Sequence, residues 1–178
     1  MDKVLLDKLA LCALNLVKRE HGTYIRKCLF VNAVFSQLLT QAGVRNRLVS
    51  GKFAGGFNSG ENDTFRYGYT ATESVHSLDY HVWCVTEGGQ VLDAMGLALH
   101  EEMQLNFNGE QSEYLLPKTS VVNSATLKSY DDIMDDYQLG VCYTEVRDFH
   151  QTTLTLVASF NEKHKQAIRQ ALEDNQST

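Results

Sequence analysis

The sequence predicts an α+β domain in which helices pack on a mainly antiparallel sheet. Three observations carry that expectation. Residues 28–42, CLFVNAVFSQLLTQA, are apolar around most of a helical circumference, which marks a buried central helix. Residues 81–93, HVWCVTEGGQVLD, set two apolar runs on either side of a Glu-Gly-Gly turn, the pattern of a buried hairpin. Other runs, such as TFRYGYTA and LGVCYTEV, alternate in the manner of strands. At 178 residues and 43% hydrophobic composition the chain is long enough to bury a real core, and residues 1–178 are read as one domain.

Taken in order, the first segment, MDKVLLDKLALCALNLVKRE, carries an apolar helical pattern. It is not read as a secretion signal, because Asp2 and Asp7 spoil a basic leader, Asn15 interrupts the apolar run and no small-residue cleavage site follows. The second helix is expected to begin near Lys27 or Cys28, carry Asn32, Ser36 and Thr40 as one polar stripe, and stop at Gly43, a residue able to turn left-handed. A strand is expected from about Arg45 to Phe53. Between it and His81, Gly55, Gly56 and Gly60 suggest a mobile turn before the TFRYGYTA strand, in a segment that borders the cleft or forms a solvated hairpin. After Asp93, SATLKSYDDIMDD reads as a short acidic helix, LGVCYTEVRDF and TTLTLVAS as strands, and FNEKHKQAIRQALED as an amphipathic helix.

The charge balance narrows the function. Twenty-two acidic against 16 basic residues give a net charge of -6, and no basic patch interleaved with aromatics offers itself to a phosphate backbone. Neither nucleic acid nor a membrane is an expected partner, and a cytoplasmic setting is expected. Cys12, Cys28, Cys84 and Cys142 are widely spaced with no Cys-x-x-Cys, which suits reduced thiols better than a disulfide framework or a zinc site. His76 and His100 supply no recognisable metal spacing with Cys28, so neither a metal nor a cofactor is expected.

Cys12, Cys84 and Cys142 lie in apolar patterns and read as small buried hydrophobes. Cys28 is different. In the first turn of a helix its charged form is stabilised by the helix dipole and the first backbone amides, with Arg26 and Lys27 adding positive charge beside it. Position alone does not separate a nucleophile from an ordinary buried cysteine. A thiolate attacking an acyl carbon needs an imidazole to move its proton, and the imidazole a carboxylate to orient it. His81 and Asp93 supply those groups, although each taken singly reads as structural.

They can meet only in one hairpin register. A two-residue Gly88-Gly89 turn would pair Cys84 with Asp93 and send His81 and Asp93 to opposite faces. A three-residue Glu87-Gly88-Gly89 loop with a left-handed glycine pairs Thr86 with Gln90 and Trp83 with Asp93. His81 and Asp93 then become diagonal neighbours on one face, and this register is the one expected.

These residues resemble the transglutaminase-like superfamily of papain-type cysteine enzymes. The resemblance covers roughly residues 20–95: Cys28 at a helix start, GVRNRLVSG at 43–51 like the family's Gly-(Ile/Val)-x-x-Arg-x-Val-x-Gly, HVW at 81–83 like its His-x-Trp, and GGQVLD at 88–93 like its turn to the aspartate. It implies a papain/transglutaminase-like fold with Cys28 as nucleophile, His81 as general base and acid, and Asp93 as orienting carboxylate. Two positions depart from the pattern. Arg26 stands where many members have glycine and Leu29 where many have an aromatic residue. The second oxyanion donor is left open between an upstream backbone amide and the side chains of His21 and Tyr24. Trp83 reads as a core residue that shares His81's face, and Arg47 as a structural ion pair.

The implied chemistry is acyl transfer from an amide or peptide carbonyl of a protein or peptide substrate through a thioester. The forms open to it are a cysteine protease, a glutamine deamidase or a transglutaminase, hydrolysis being favoured. The alternative is an inert module of the same fold used for protein binding.

Overall fold

The computed structural model describes residues 2–58, 64–71, 80–99 and 119–146, together with 155, 157–159, 162, 163, 165–170 and 173. Helix α1 (Lys3–His21) starts on Asp2, whose side chain accepts from the Val4 amide, and ends at Gly22 with φ 74°. Its buried residues Leu6, Leu9, Ala10, Ala13, Leu14, Leu16 and Val17 recur at helical spacing. They pack on α2 (Cys28–Gln41), which buries Leu29, Val31, Ala33, Val34, Phe35, Leu38 and Leu39. Gly43, at φ 80°, lets the chain leave α2, as expected. Among the described residues, no helix is long and apolar enough to cross a membrane.

Among the described residues, five antiparallel strands form the sheet: β1 (Asn46–Asn58), β2 (Thr64–Tyr69), β3 (His81–Thr86), β4 (Val91–Leu92) and β5 (Gly140–Glu145). Strand β1 organises it. Its first half pairs with β3, from Asn46↔Thr86 to Gly51↔His81, while residues 53–56 are shared by β2 and β5. Val82, Cys84, Leu48 and Leu92 belong to the core cluster that contains the α1 and α2 residues, so this part of the sheet forms the floor beneath the helices. A short helix, α3 (Tyr130–Met134), is held by a reciprocal Ser129–Asp132 capping box and packs Ile133 against Ala54 and Cys142.

Helices on a mainly antiparallel sheet match the expected class. Two local readings do not hold. Gly55 and Gly56 lie inside β1 rather than in a turn, opposite Tyr67 and Arg66 on β2 and Val141 and Gly140 on β5. Close approach explains the glycine at 56, because a Cβ there would stand 2.2 Å from the Gln138 carbonyl oxygen. Within the expected 152–159 strand, Thr155 and Val157–Ser159 are helical. Val157 and Ile168, each helical, are both buried in the main core. His76, His100 and Gly60 lie outside the described residues.

Candidate active site

Strand β3 opens on His81, and the turn beyond it fixes what His81 can reach. The Thr86 amide donates to the Gln90 carbonyl at 3.0 Å, the Gly89 amide donates back to the Thr86 carbonyl at 2.9 Å, and Gly89 sits at φ 79°. Glu87, Gly88 and Gly89 therefore form the three-residue loop. Val85 faces Val91 and Cys84 faces Leu92, and one step further sets Trp83 across from Asp93. Side-chain alternation then places His81, Trp83 and Asp93 on one face and Val82, Cys84 and Leu92 on the other.

The two titratable groups meet. His81 Nε2 lies 2.7 Å from Asp93 Oδ2, with His81 3% and Asp93 2% exposed. Burial by itself would strip the charge from both. Its effect on His81 is outweighed by the Asp93 carboxylate, which with a smaller contribution from Cys28 holds the imidazole well above its ordinary range. Burial likewise pushes the Asp93 carboxyl up, but His81 and the hydrogen bonds from Asn32 and Tyr143 bring it below the usual carboxylate range.

Four donors converge on Asp93. Oδ1 accepts from Asn32 Nδ2 at 3.0 Å and from the Met95 amide at 3.0 Å, so Asp93 also caps the 3₁₀ turn Ala94–Leu97. Oδ2 accepts from the Tyr143 hydroxyl at 2.8 Å besides its contact with His81. Asn32 is fully buried one turn beyond Cys28 on α2. Its amide also donates to the Val82 carbonyl at 2.8 Å, and its oxygen accepts from the Ala94 amide at 3.0 Å. One side chain therefore fastens the cysteine helix to both strands of the hairpin.

Cys28 is the first residue of α2, half-buried, with its thiol 3.8 Å from the Tyr80 carbonyl. The Lys27 side chain makes no capping bond to this helix, and the first amides of a helix have no partner within it. His81 Nδ1 is buried and has no nitrogen or oxygen partner. With Nε2 committed to Asp93, Nδ1 is the nitrogen left for the Cys28 side chain, which acts on the same ring. Cys28, His81 and Asp93 are thus brought together by α2, β3 and the end of β4.

Aromatic rings enclose the imidazole. Phe53 lies 4.8 Å from it between centroids, Tyr69 5.8 Å and nearly parallel, Trp83 6.2 Å and Tyr143 6.1 Å. Tyr69 comes from β2, so the segment before His81 does border the site, and Trp83 is both core residue and wall. His21 stacks on Phe30 at 5.1 Å, and the Tyr24 ring carries the Lys18 ammonium at 5.6 Å. Arg47 makes the expected ion pair, two hydrogen bonds of 3.0 and 2.9 Å to Glu145. Burial pushes the thiols of Cys84 and Cys142 up. Among the described residues, no three His, Cys, Asp or Glu side chains gather as metal ligands would.

Arg26 gives one departure a physical account. The Lys27 amide donates to the Tyr24 carbonyl at 3.0 Å, closing a turn whose third residue, Arg26, has φ 55°. This is the position at which a type II turn favours glycine. The backbone here adopts the left-handed conformation with an arginine in it.

Sequence inspection missed Asn32 and Tyr143. The polar stripe containing Asn32 was visible, while nothing near Tyr143 in the chain links it to Asp93.

No family model matches the chain, and no curated protein matches it. The crystal structure of a genomics target is similar, with a TM-score of 0.57 over 97% of this chain and 79% of that one, at 13% identity. A likeness at that identity concerns the fold alone.

Proposed function

We propose that the protein is a cysteine-dependent acyl-transfer enzyme of transglutaminase-like, papain-type character. The observation that carries the reading is the buried His81–Asp93 pair, 2.7 Å apart, whose remaining ring nitrogen has no nitrogen or oxygen partner and is left for Cys28. Cys28 Sγ attacks an amide or peptide carbonyl carbon as His81 takes up the thiol proton. The oxyanion is received at the start of α2, with the Cys28 amide as first donor. His81 returns the proton to the leaving amine as the C–N bond breaks, leaving a thioester. Water, deprotonated by His81, attacks the thioester, and Cys28 is released. Hydrolysis of a protein or peptide amide is the favoured outcome, and an amine in place of water would give transamidation.

An electrophilic thiol probe read by mass spectrometry tests this reading. Cys12 is half-buried like Cys28 and serves as the internal standard. Cys28 should label much faster than Cys12, Cys84 and Cys142, and His81→Ala should abolish the difference near neutral pH. Equal rates for Cys28 and Cys12 would remove the enzyme reading and leave the binding module in its place.

A further inference from the structure

We propose that Tyr143 is a positioning residue that sets the proton affinity of His81 through the Asp93 carboxylate. The proposal rests on the reading of Cys28, His81 and Asp93 as nucleophile, base and orienting carboxylate, and it adds a fourth member from a distant strand. Pairing of β5 with β1 brings Tyr143 opposite Phe53. Its ring meets Phe53 edge-on at 5.1 Å and Trp83 at 5.3 Å, which fixes the direction of the hydroxyl. That hydroxyl donates to Oδ2 of Asp93 at 2.8 Å, the same oxygen that lies 2.7 Å from His81 Nε2.

A carboxylate oxygen accepts about two good hydrogen bonds. Asn32 and the Met95 amide fill Oδ1, and His81 and Tyr143 fill Oδ2. Tyr143 therefore shares with His81 the charge of one oxygen. Each donor to that oxygen draws off negative charge that would otherwise hold the imidazolium proton. The hydroxyl thus moderates an ion pair that would otherwise trap the proton His81 has to return to the leaving group. Among the described residues, the titratable groups facing the ring are Asp93 at the end of β4, Cys28 from α2, Tyr69 from β2 and Tyr143 from β5. Phe53 from β1 and Trp83 from β3 do not titrate. Asp93 acts on Cys84, and Cys142 on Tyr143.

The test is Tyr143→Phe in the full chain, with the His81 ring titration followed by the ¹⁵N shifts of its ring nitrogens. Loss of the hydroxyl should raise the proton affinity of His81 by about threefold or more, roughly half a pH unit. A Tyr143 that only braced Asp93 would do the opposite, since a loosened carboxylate holds the ring proton less well. An unmoved or lowered titration overturns the proposal. If the Phe variant does not fold, 3,5-difluorotyrosine at position 143 keeps the ring and strengthens the donor. The titration should then fall, and no change overturns the proposal equally. The thiol-labelling contrast between Cys28 and Cys12 is a separate readout. Its failure would remove the nucleophile reading while the ring titration still reports whether Tyr143 acts on His81.

Discussion

Replacing Asn32 with alanine should destabilise the protein more than any other polar change on α2. The substitution removes three hydrogen bonds, at 2.8 Å to the Val82 carbonyl, 3.0 Å to Asp93 Oδ1 and 3.0 Å from the Ala94 amide. Each buried backbone group left unpaired costs about 1–3 kcal/mol, and the bond to the carboxylate about 1.5–3 kcal/mol. Asp93 Oδ1 keeps the Met95 amide, and water entering the vacated space recovers part of the loss. The net cost is then about 3–5 kcal/mol, a large share of the roughly 5–15 kcal/mol by which domains are stable. With an m-value of about 2 kcal/mol/M, the urea midpoint should fall by roughly 1.5–2.5 M at unchanged slope. Thr40→Ala, at the exposed end of the same stripe, should move it by less than about 0.3 M. In an Asp93→Ala background the cost of Asn32→Ala should shrink by at least about 1 kcal/mol. A midpoint shift under about 0.5 M, or full additivity with Asp93→Ala, would refute the role given to Asn32.

Cys28→Ala should fold with a urea midpoint within about 0.5 M of the parent, because the half-buried thiol supports little of the core, yet form no thioester detectable by intact-mass measurement with an activated acyl substrate. Gly51→Ala should unfold the sheet or weaken it by several kcal/mol in urea titration, since its Cβ would stand 2.1 Å from the Thr144 carbonyl oxygen and 2.7 Å from the Val146 amide nitrogen. For pH, Asp93 is depressed when folded, so its contribution is present above its ordinary value of 3.8 and is lost as pH falls through the lower folded value. His81 is raised when folded, so its contribution is complete below 6.5 and is lost as pH rises toward the higher folded value. The stability difference between the parent and His81→Gln should therefore be greatest between about pH 4 and 6.5 and decline on both sides, as urea titrations across pH can check.

The elements legible in the sequence are those whose cause is local. An almost wholly apolar run bounded by Gly43 can be little but a buried helix, and Glu87-Gly88-Gly89 ahead of Gln90 sets a register that a single left-handed residue decides. That register brought His81 and Asp93 together on paper. What escaped depends on distant pairing. Gly55 and Gly56 resemble a turn until β2 and β5 arrive on both sides of them. Tyr143 lies 50 residues beyond Asp93, and only the β1–β5 ladder delivers it. Asn32 was visible as part of a stripe, but its partners lie 50 or more residues away, so its polarity could be read and its task could not.

The same separations order events during synthesis. The thiol of Cys28 leaves the ribosome first, His81 and Asp93 follow, and Tyr143 comes last. The β1–β5 ladder and the hydroxyl that completes the bonding of Asp93 must await β5, which follows Asp93 in the chain. A growing chain therefore carries Cys28 through the synthesis of all that separates it from Tyr143 before the hydrogen bonds around Asp93 can be complete. The chemistry proposed for Cys28 is withheld in that interval, until β5 has paired with β1.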